Sequence, residues 1–459
     1  MSPRPAVVYY GDDFTGATDT LGTAARAGLR ALLFLKTPDA ARLEHACALD
    51  VLGIAGAARA MTPEQMQAEL RPVATLFRSL GARVLHYKTC STFDSAPHIG
   101  SIGAAVRVLR AAVEQPWTAI VGGQPNLGRY CLFGNLFAAA GSGGEVFRID
   151  RHPTMSRHPV TPMDEADLRL HLSKQGLKDV CAVPFTAAAR GSDALDTALR
   201  QALNTPPADA VLFDVADAAQ LAAIGHVLWA RARNATLLAV GPSSVVDALA
   251  MAMPAQREER GGAPTARTMA QARVTPAQGP VLVLAGSLSP VTARQVAASP
   301  SFDIVWLDAD KLAQRDAAAL ASHADAISHS LQRGHNVLAC TREPHVSHSA
   351  VPSASLSATP SPRGLDAQAL ARAGGDLLAK VLATTPLKRV GIAGGDTSSH
   401  AVQALDAWGL SYVADMGAGA SLCRVHSDNA TLDGMEIMLK GGQMGTVDVF
   451  ERLVHGDIA

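Results

Sequence analysis

Short apolar runs recur along the chain, each closed by a polar or glycine-rich stretch. Val7 to Tyr10, Leu29 to Leu35, Leu49 to Ile54 and Arg83 to Lys88 are the first of them. Ala119 to Gly122, Glu145 to Ile149, Val180 to Val183, Ala210 to Phe213 and Thr236 to Val240 follow. The second half adds Val281 to Ala285, Phe302 to Leu307, Asn336 to Cys340, Val390 to Ala393, Leu410 to Ala414 and Glu436 to Leu439. Runs this short and this apolar predict strands buried on both faces. Between them the apolar spacing turns helical. Ala17, Leu21, Ala24 and Ala25 share one face before Gly28, which stands as a helix stop. Met61 to Leu80 opens on Thr62-Pro63-Glu64, and Pro72 predicts a kink or a division in two. Ile99 to Val113 predicts another helix, as does the face Ala401, Val402, Leu405 and Trp408. Strand alternating with helix predicts parallel sheets covered by helices.

The alternation fails twice. Pro254 to Gln278 is rich in Arg, Gly, Ala, Thr and Pro, and Glu343 to Pro362 is a Ser/Pro/His/Ala-rich low-complexity stretch. The organisation expected is residues 1–253, a linker at 254–278, and residues 279–459 carrying an insertion at 343–362. Each part is expected to be a Rossmann-like three-layer α/β domain with a mostly parallel sheet, and a cleft is expected between them. A length of 459 residues agrees with two cores.

Composition narrows the function. A net charge of −1 makes no electrostatic case for nucleic acid or an anionic membrane surface. Acidic residues come too early for a secretory leader, and no run approaches a membrane span, so a cytoplasmic protein is expected. The six cysteines (Cys47, Cys90, Cys131, Cys181, Cys340 and Cys423) form no C-x-x-C, and reduced core thiols are expected.

The chemistry sits in the turns. Asp12 and Asp13 follow the first strand at a helix start, where α/β sheets bind ligands. Two adjacent anions there call for a cation or for a substrate hydroxyl that needs a proton acceptor. Arg59, just past a strand end, suits a carboxylate. Lys88-Thr89-Cys90-Ser91-Thr92-Phe93-Asp94-Ser95 suits a small polyhydroxylated anion, or is simply a capping turn. Cys90 as a nucleophile has no evident base. His152 and His158 lie in a proline-rich loop, where packing explains them better than metal. In the second half, Gly286-Ser287, Gly394-Gly395-Asp396-Thr397 and Lys440-Gly441-Gly442 offer free N–H groups and close backbone approach, as a phosphate site needs. A sugar-acid side and a phosphate side together imply a small-molecule kinase. Asp12 or Asp13 would serve as base, with Mg²⁺ held in part by Asp396. A haloacid-dehalogenase-type phosphatase would need D-x-D, and a dehydrogenase G-x-G-x-x-G; neither follows the first strand. A non-catalytic sugar-acid binder is the remaining alternative.

DDFTGATD, Arg59, YKTCSTFDS, HPVTPM, GSLSPVT, AGGDTSSHAV and LKGGQMG, spread over nearly the whole chain, resemble the four-carbon acid sugar kinases. The resemblance implies a sugar-acid-binding N-terminal domain, a nucleotide-binding C-terminal domain and ATP-dependent phosphorylation of a C4 hydroxyl. It implies that Asp12, Arg59, Lys88, Thr89, Cys90 and Ser91 contact substrate. It likewise implies that Ser287, Gly394, Gly395, Asp396, Thr397, Gly441 and Gly442 contact ATP. YKTCSTFDS is similar to the 3-oxo-tetronate kinase branch, whereas threonate and erythronate kinases carry a KKxDSTLRGN-like turn. Pro97-His98-Ile99-Gly100 and Ser156-Arg157 depart from the branch pattern and bear on substrate choice more than on kinase chemistry. The partners implied are a small sugar acid and ATP, with a homodimer as the assembly to look for.

Overall fold

The computed structural model describes residues 4–44, 49–141, 143–204, 208–253, 273–286, 289–341, 367–417, 419–442 and 444–457. The chain divides into two compact units, Met1–Ala270 and Gln271–Ala459.

The strands of the first unit are β1 Val7–Gly11, β2 Ala31–Phe34, β3 Val51–Ala55, β4 Val84–Lys88, β5 Thr118–Val121, β6 Arg129–Leu132, β7 Asn135–Ala139, β8 Val146–Arg148, β9 Val180–Val183, β10 Ala210–Phe213 and β11 Leu237–Gly241. The main sheet runs β2-β3-β1-β4-β11-β5-β10-β9, every pair parallel. β1, β3, β4 and β11 are buried along their whole length, which explains their unbroken apolar runs. The register aligns Ala55, Gly11, Lys88 and Gly241 across the sheet. After β3 the chain crosses over β1 to form β4, so β1 and β4 flank a reversal of strand order. Such a reversal leaves a crevice at the carboxyl ends, the customary ligand position in this class of sheet.

Several expectations are corrected here. Glu145 to Ile149 supplies not a strand of the main sheet but β8 of a separate antiparallel sheet, β6-β7-β8. Its β6–β7 hairpin turns through Phe133 and Gly134, both at positive φ (50° and 82°). Pro72 does not divide its helix, which runs unbroken from Pro63 to Leu80 under a Thr62/Gln65 capping box. Pro72 and Ala68 are both exposed, so the carbonyl left without a donor faces water. The helix expected at Ile99 starts at Ile102, capped by Ser101, because Gly100 before it is left-handed at φ 60°.

In the second unit the strands are β12 Val281–Ala285, β13 Phe302–Leu307, β14 Asn336–Thr341, β15 Arg389–Ala393, β16 Gly409–Asp415, β17 Ala420–His426 and β18 Glu436–Lys440. Their order is β13-β14-β12-β15-β18-β17-β16, parallel up to β18 and antiparallel through β17 and β16. Strand order reverses between β12 and β15. Val274, from the end of the expected linker, is buried in this unit's core with Val281 and Phe450. Residues 254–272 of that linker and the 343–362 insertion lie outside the described residues.

Candidate active site

Each unit places its ligand-type turns at its own reversal point. In the first, Asp12 leaves β1 with its N–H donating to the Lys88 carbonyl (2.9 Å), while Arg59 N–H donates to the Asp12 carbonyl (3.0 Å). The tips after β1, β3 and β4 are thereby tied together by main chain. Asp13 then caps the helix Phe14–Arg26, its Oδ1 accepting from Gly16 N–H at 2.9 Å.

The cation called for by the paired carboxylates is Arg59 itself. Its Nε and Nη2 donate to Asp12 Oδ2 and Oδ1 (3.2 and 2.7 Å), and Nη2 also donates to Asp13 Oδ1 (3.0 Å). The two acids are not equivalent. The Asp12 side chain is 6% exposed and that of Asp13 24%. Burial pushes the Asp12 carboxyl above its usual range, Arg59 opposes this, and the Asp13 charge adds to it. Burial would lower the Arg59 pKa, but Asp12 and Asp13 hold it well above its ordinary value.

Lys88 is buried and donates to the Thr89 carbonyl at 2.7 Å. A Cβ on Gly16 would lie 2.7 Å from its Nζ and 2.5 Å from Asp13 Oδ1, so the glycine makes room for both groups. Gly16 is thus a site residue that the sequence pattern does not single out. In the following turn Cys90 Sγ lies 2.9 Å from Thr92 Oγ1, which donates to Asp94 Oδ1 at 2.5 Å. Burial, with Asp94 adding, pushes the Cys90 thiol up to about 11, which leaves no thiolate for nucleophilic attack at neutral pH. Burial would raise Asp94, but Arg59 and the Thr92 and Cys90 hydrogen bonds hold it below its usual range. Thr89 and Ser91 are buried in the same turn. Phe93, fully buried, sits at φ 55°, a costly conformation for an aromatic residue. Ser95 holds the Phe93 carbonyl (2.9 Å) and is itself fixed by His171 Nε2 and Gln175 Nε2 (3.0 and 2.7 Å). The loop histidines each accept main-chain hydrogen bonds on Nδ1, that of His152 from Thr154 and Met155 N–H, and that of His158 from Thr161 N–H.

In the second unit, Ala285, Ala393 and Lys440 stand in register on three adjacent strands, so the three glycine turns share one edge. Gly286 N–H donates to Ala393 O (3.2 Å) and Gly394 N–H to Lys440 O (3.0 Å). What reads as a turn at Gly395 to Ser398 is the first turn of the helix Gly395–Ala404, entered through Gly394 at φ 132°. A helix start of this kind leaves leading N–H groups without intrahelical acceptors, the property an anion site uses. A Cβ on Gly286 would come within 2.3 Å of Thr397 Oγ1, so Thr397 packs directly on this glycine and would have to shift for any larger residue. Ser289, the N-cap of the helix Pro290–Ala297, and Thr292 in its first turn both donate to the Gly442 carbonyl, Thr292 at 2.9 Å. Gln295 Nε2 secures the next carbonyls, Met444 (3.0 Å), Gly445 (3.2 Å) and Thr446 (2.9 Å). Lys440 is buried rather than presented to solvent, its Nζ 3.1 Å from Thr292 Oγ1, and burial lowers its pKa to about 8. Ser287 and the Asp396 side chain lie outside the described residues.

Two α/β units, one carrying a carboxylate-arginine-lysine cluster and the other three glycine turns at one sheet edge, carry the features expected of a small-molecule kinase. Residues 7–249 match the family model described as a sugar-binding N-terminal domain, and 282–450 that of a nucleotide-binding C-terminal domain. The chain is 38% identical to a 3-oxo-isoapionate kinase of Paraburkholderia graminis, over 99% of this chain and 95% of the relative. It is 30% identical to a 3-oxo-tetronate kinase of Cupriavidus necator, over 99% and 98%. Solved proteins from Salmonella typhimurium LT2 (TM-score 0.75, 21% identity, 98% of each chain) and Haemophilus influenzae (TM-score 0.67, 22% identity, 97% and 98%) share the fold. The chain belongs to the four-carbon acid sugar kinase family. It is an ATP-dependent phosphotransferase of the sugar-acid kinase type. No helix among the described residues is long and apolar enough to cross a membrane.

Proposed function

We propose that the chain transfers the γ-phosphoryl group of ATP to the terminal C4 hydroxyl of a 3-oxo sugar acid. The observation that carries this reading is the end-to-end similarity to kinases whose names share the 3-oxo acid, at 38% and 30% identity. A 3-oxo-isoapionate-type substrate is favoured by the higher identity and by Pro97-His98-Ile99-Gly100, which departs from the 3-oxo-tetronate pattern. The YKTCSTFDS turn supports 3-oxo-tetronate as the second reading.

In this reading the first unit takes the acid and the second the nucleotide. Asp13 is the base: it is the more exposed acid, and its Oδ2 accepts no hydrogen bond among the described residues. Asp12, with both oxygens on Arg59, fixes the guanidinium that in turn orients Asp13. Lys88, Thr89, Cys90 and Ser91 line the acid's hydroxyls. Gly394, Gly395, Thr397, Gly441, Gly442 and Ser287 bind the phosphates, and Gly286, with no side chain, lets Thr397 pack directly against the β12 tip at that edge. ATP would supply the phosphoryl group, and Asp396 would help hold a Mg²⁺ ion whose charge would offset that of the phosphates. Among the described residues no group of three His, Cys, Asp or Glu side chains forms a metal cage.

The test is ATP consumption by the whole chain against 3-oxo-isoapionate, 3-oxo-tetronate, D-threonate and D-erythronate, with the product's phosphate located by NMR. Turnover is expected on a 3-oxo acid. Preference for threonate or erythronate would move the substrate to the other branch. ATP-independent binding or nicotinamide reduction would overturn the kinase reading.

A further inference from the structure

A sugar acid brings a carboxylate that needs a counter-charge as it leaves water. Arg59 already commits Nε and Nη2 to Asp12 and Asp13, whose two charges offset its own. Lys88 is buried, with Nζ on the Thr89 carbonyl. A third cation stands at the same edge of the sheet. Arg129 opens β6 just beyond the Gly122-Gly123-Gln124 tip of β5, pinned to Gln124 by reciprocal main-chain bonds of 2.9 and 3.2 Å.

Its guanidinium is poorly served by the protein. Nη1 donates to the carbonyls of Leu127 and Ala139, the latter at 3.4 Å. Nε is buried with no acceptor, and Nη2 makes no hydrogen bond among the described residues. The neighbours acting on its charge are Cys90, in the turn after β4, and Tyr130; neither is a carboxylate. His152, on the same Ala139 carbonyl at 3.4 Å, packs beside it, and burial chiefly lowers its pKa. Burial also pushes the Arg129 guanidinium below its ordinary range. Drawing a guanidinium out of water without an anion is expensive, and mutating this one to a neutral residue would relieve the fold. An anion that arrives with the ligand accounts for its presence.

We propose that Arg129 receives the carboxylate of the sugar acid on its Nη2 edge, and is the residue that makes the enzyme require an acid. This rests on the reading of the first unit as the acid-binding one. The test is initial-rate kinetics of wild type, Arg129→Gln and Arg129→Lys with 3-oxo-isoapionate, 3-oxo-tetronate and their uncharged amides. Wild type is expected to prefer acid to amide strongly. Arg129→Gln should raise KM for the acid about a hundredfold and bring the acid-to-amide preference close to one, with KM for ATP unchanged. Arg129→Lys should recover part of the loss. An Arg129→Gln enzyme with wild-type KM and preference overturns the inference, as does a wild type indifferent to the acid's charge, a result that needs no variant to fold. A wild type that phosphorylates none of the acids overturns the functional reading instead.

Discussion

The Arg59 guanidinium grips Asp12 edge-on, Nη2 at 2.7 Å from Oδ1 and Nε at 3.2 Å from Oδ2. The pair lies across the tips of β1 and β3, and Asp12 has almost no solvent to fall back on. Arg59→Gln therefore strands a buried carboxylate. It should cost about 3–5 kcal/mol of the first unit's stability, read as a lowered urea midpoint. Asp12→Asn on top of it should restore part of that loss, since no charge is then left unpaired.

Asp13→Asn separates capping from chemistry. Asparagine caps a helix as well as aspartate does, so the Gly16 hydrogen bond and the fold should survive. As the base, Asp13 should be worth about 10²–10⁴ in kcat. The expected outcome is that loss, with nucleotide affinity unchanged by calorimetry. Normal turnover in the Asp13→Asn enzyme would remove Asp13 from the mechanism.

Gly286→Ala adds a methyl group 2.3 Å from Thr397 Oγ1. The helix start that offers N–H groups must then move. KM for ATP should rise about tenfold, equivalent to about 1.4 kcal/mol, while KM for the acid stays put. Thr397→Ala in the same chain should give back part of the affinity.

His86 supplies a pH dependence. Burial lowers its pKa from 6.5 to about 3 in the folded chain. Between these values the unfolded chain binds the extra proton, so stability rises with pH through that window and is level above it. At about 1.4 kcal/mol per unit, acidification to pH 4.5 should cost on the order of 2–3 kcal/mol. His86→Leu should flatten this limb in urea titrations run at neutral pH and near pH ~4.5.

Pro72→Ala restores a helix N–H at an exposed position in the Pro63–Leu80 helix. A net gain of about 1–2 kcal/mol is expected after allowing for the freer unfolded chain. A melting temperature that fell would mean Pro72 packs in a way its exposure does not suggest.

The parallel strands are legible because burial on both faces leaves a run of apolar residues that polar turns cannot imitate, as at Val7 to Gly11 and Val281 to Ala285. The β6–β7 hairpin is not, because its tight turn uses Phe133-Gly134 where the usual signal is Asn-Gly. β17 is hidden because Arg424 and His426 interrupt its apolar residues. In the site, carboxylates and glycines announce their positions, yet pairings across 47 residues, such as Asp12 with Arg59, are set by strand order and not by local pattern. Arg59 reads in the sequence as a clamp for a carboxylate, and the fold adds that it grips the chain's own Asp12, a partner 47 residues away that local pattern does not reveal. Gly16 and Gly286 matter through the atoms they leave room for, which spacing alone does not reveal.

Ser289 and Thr292 hold the Gly442 carbonyl before any guest arrives. A loop already shaped by its own hydroxyls surrenders little disorder on encounter. If the nucleotide is taken up at that tip as proposed, its capture should be limited by collision and approach angle rather than by rearrangement, with a rate that varies with viscosity more than with temperature-driven opening.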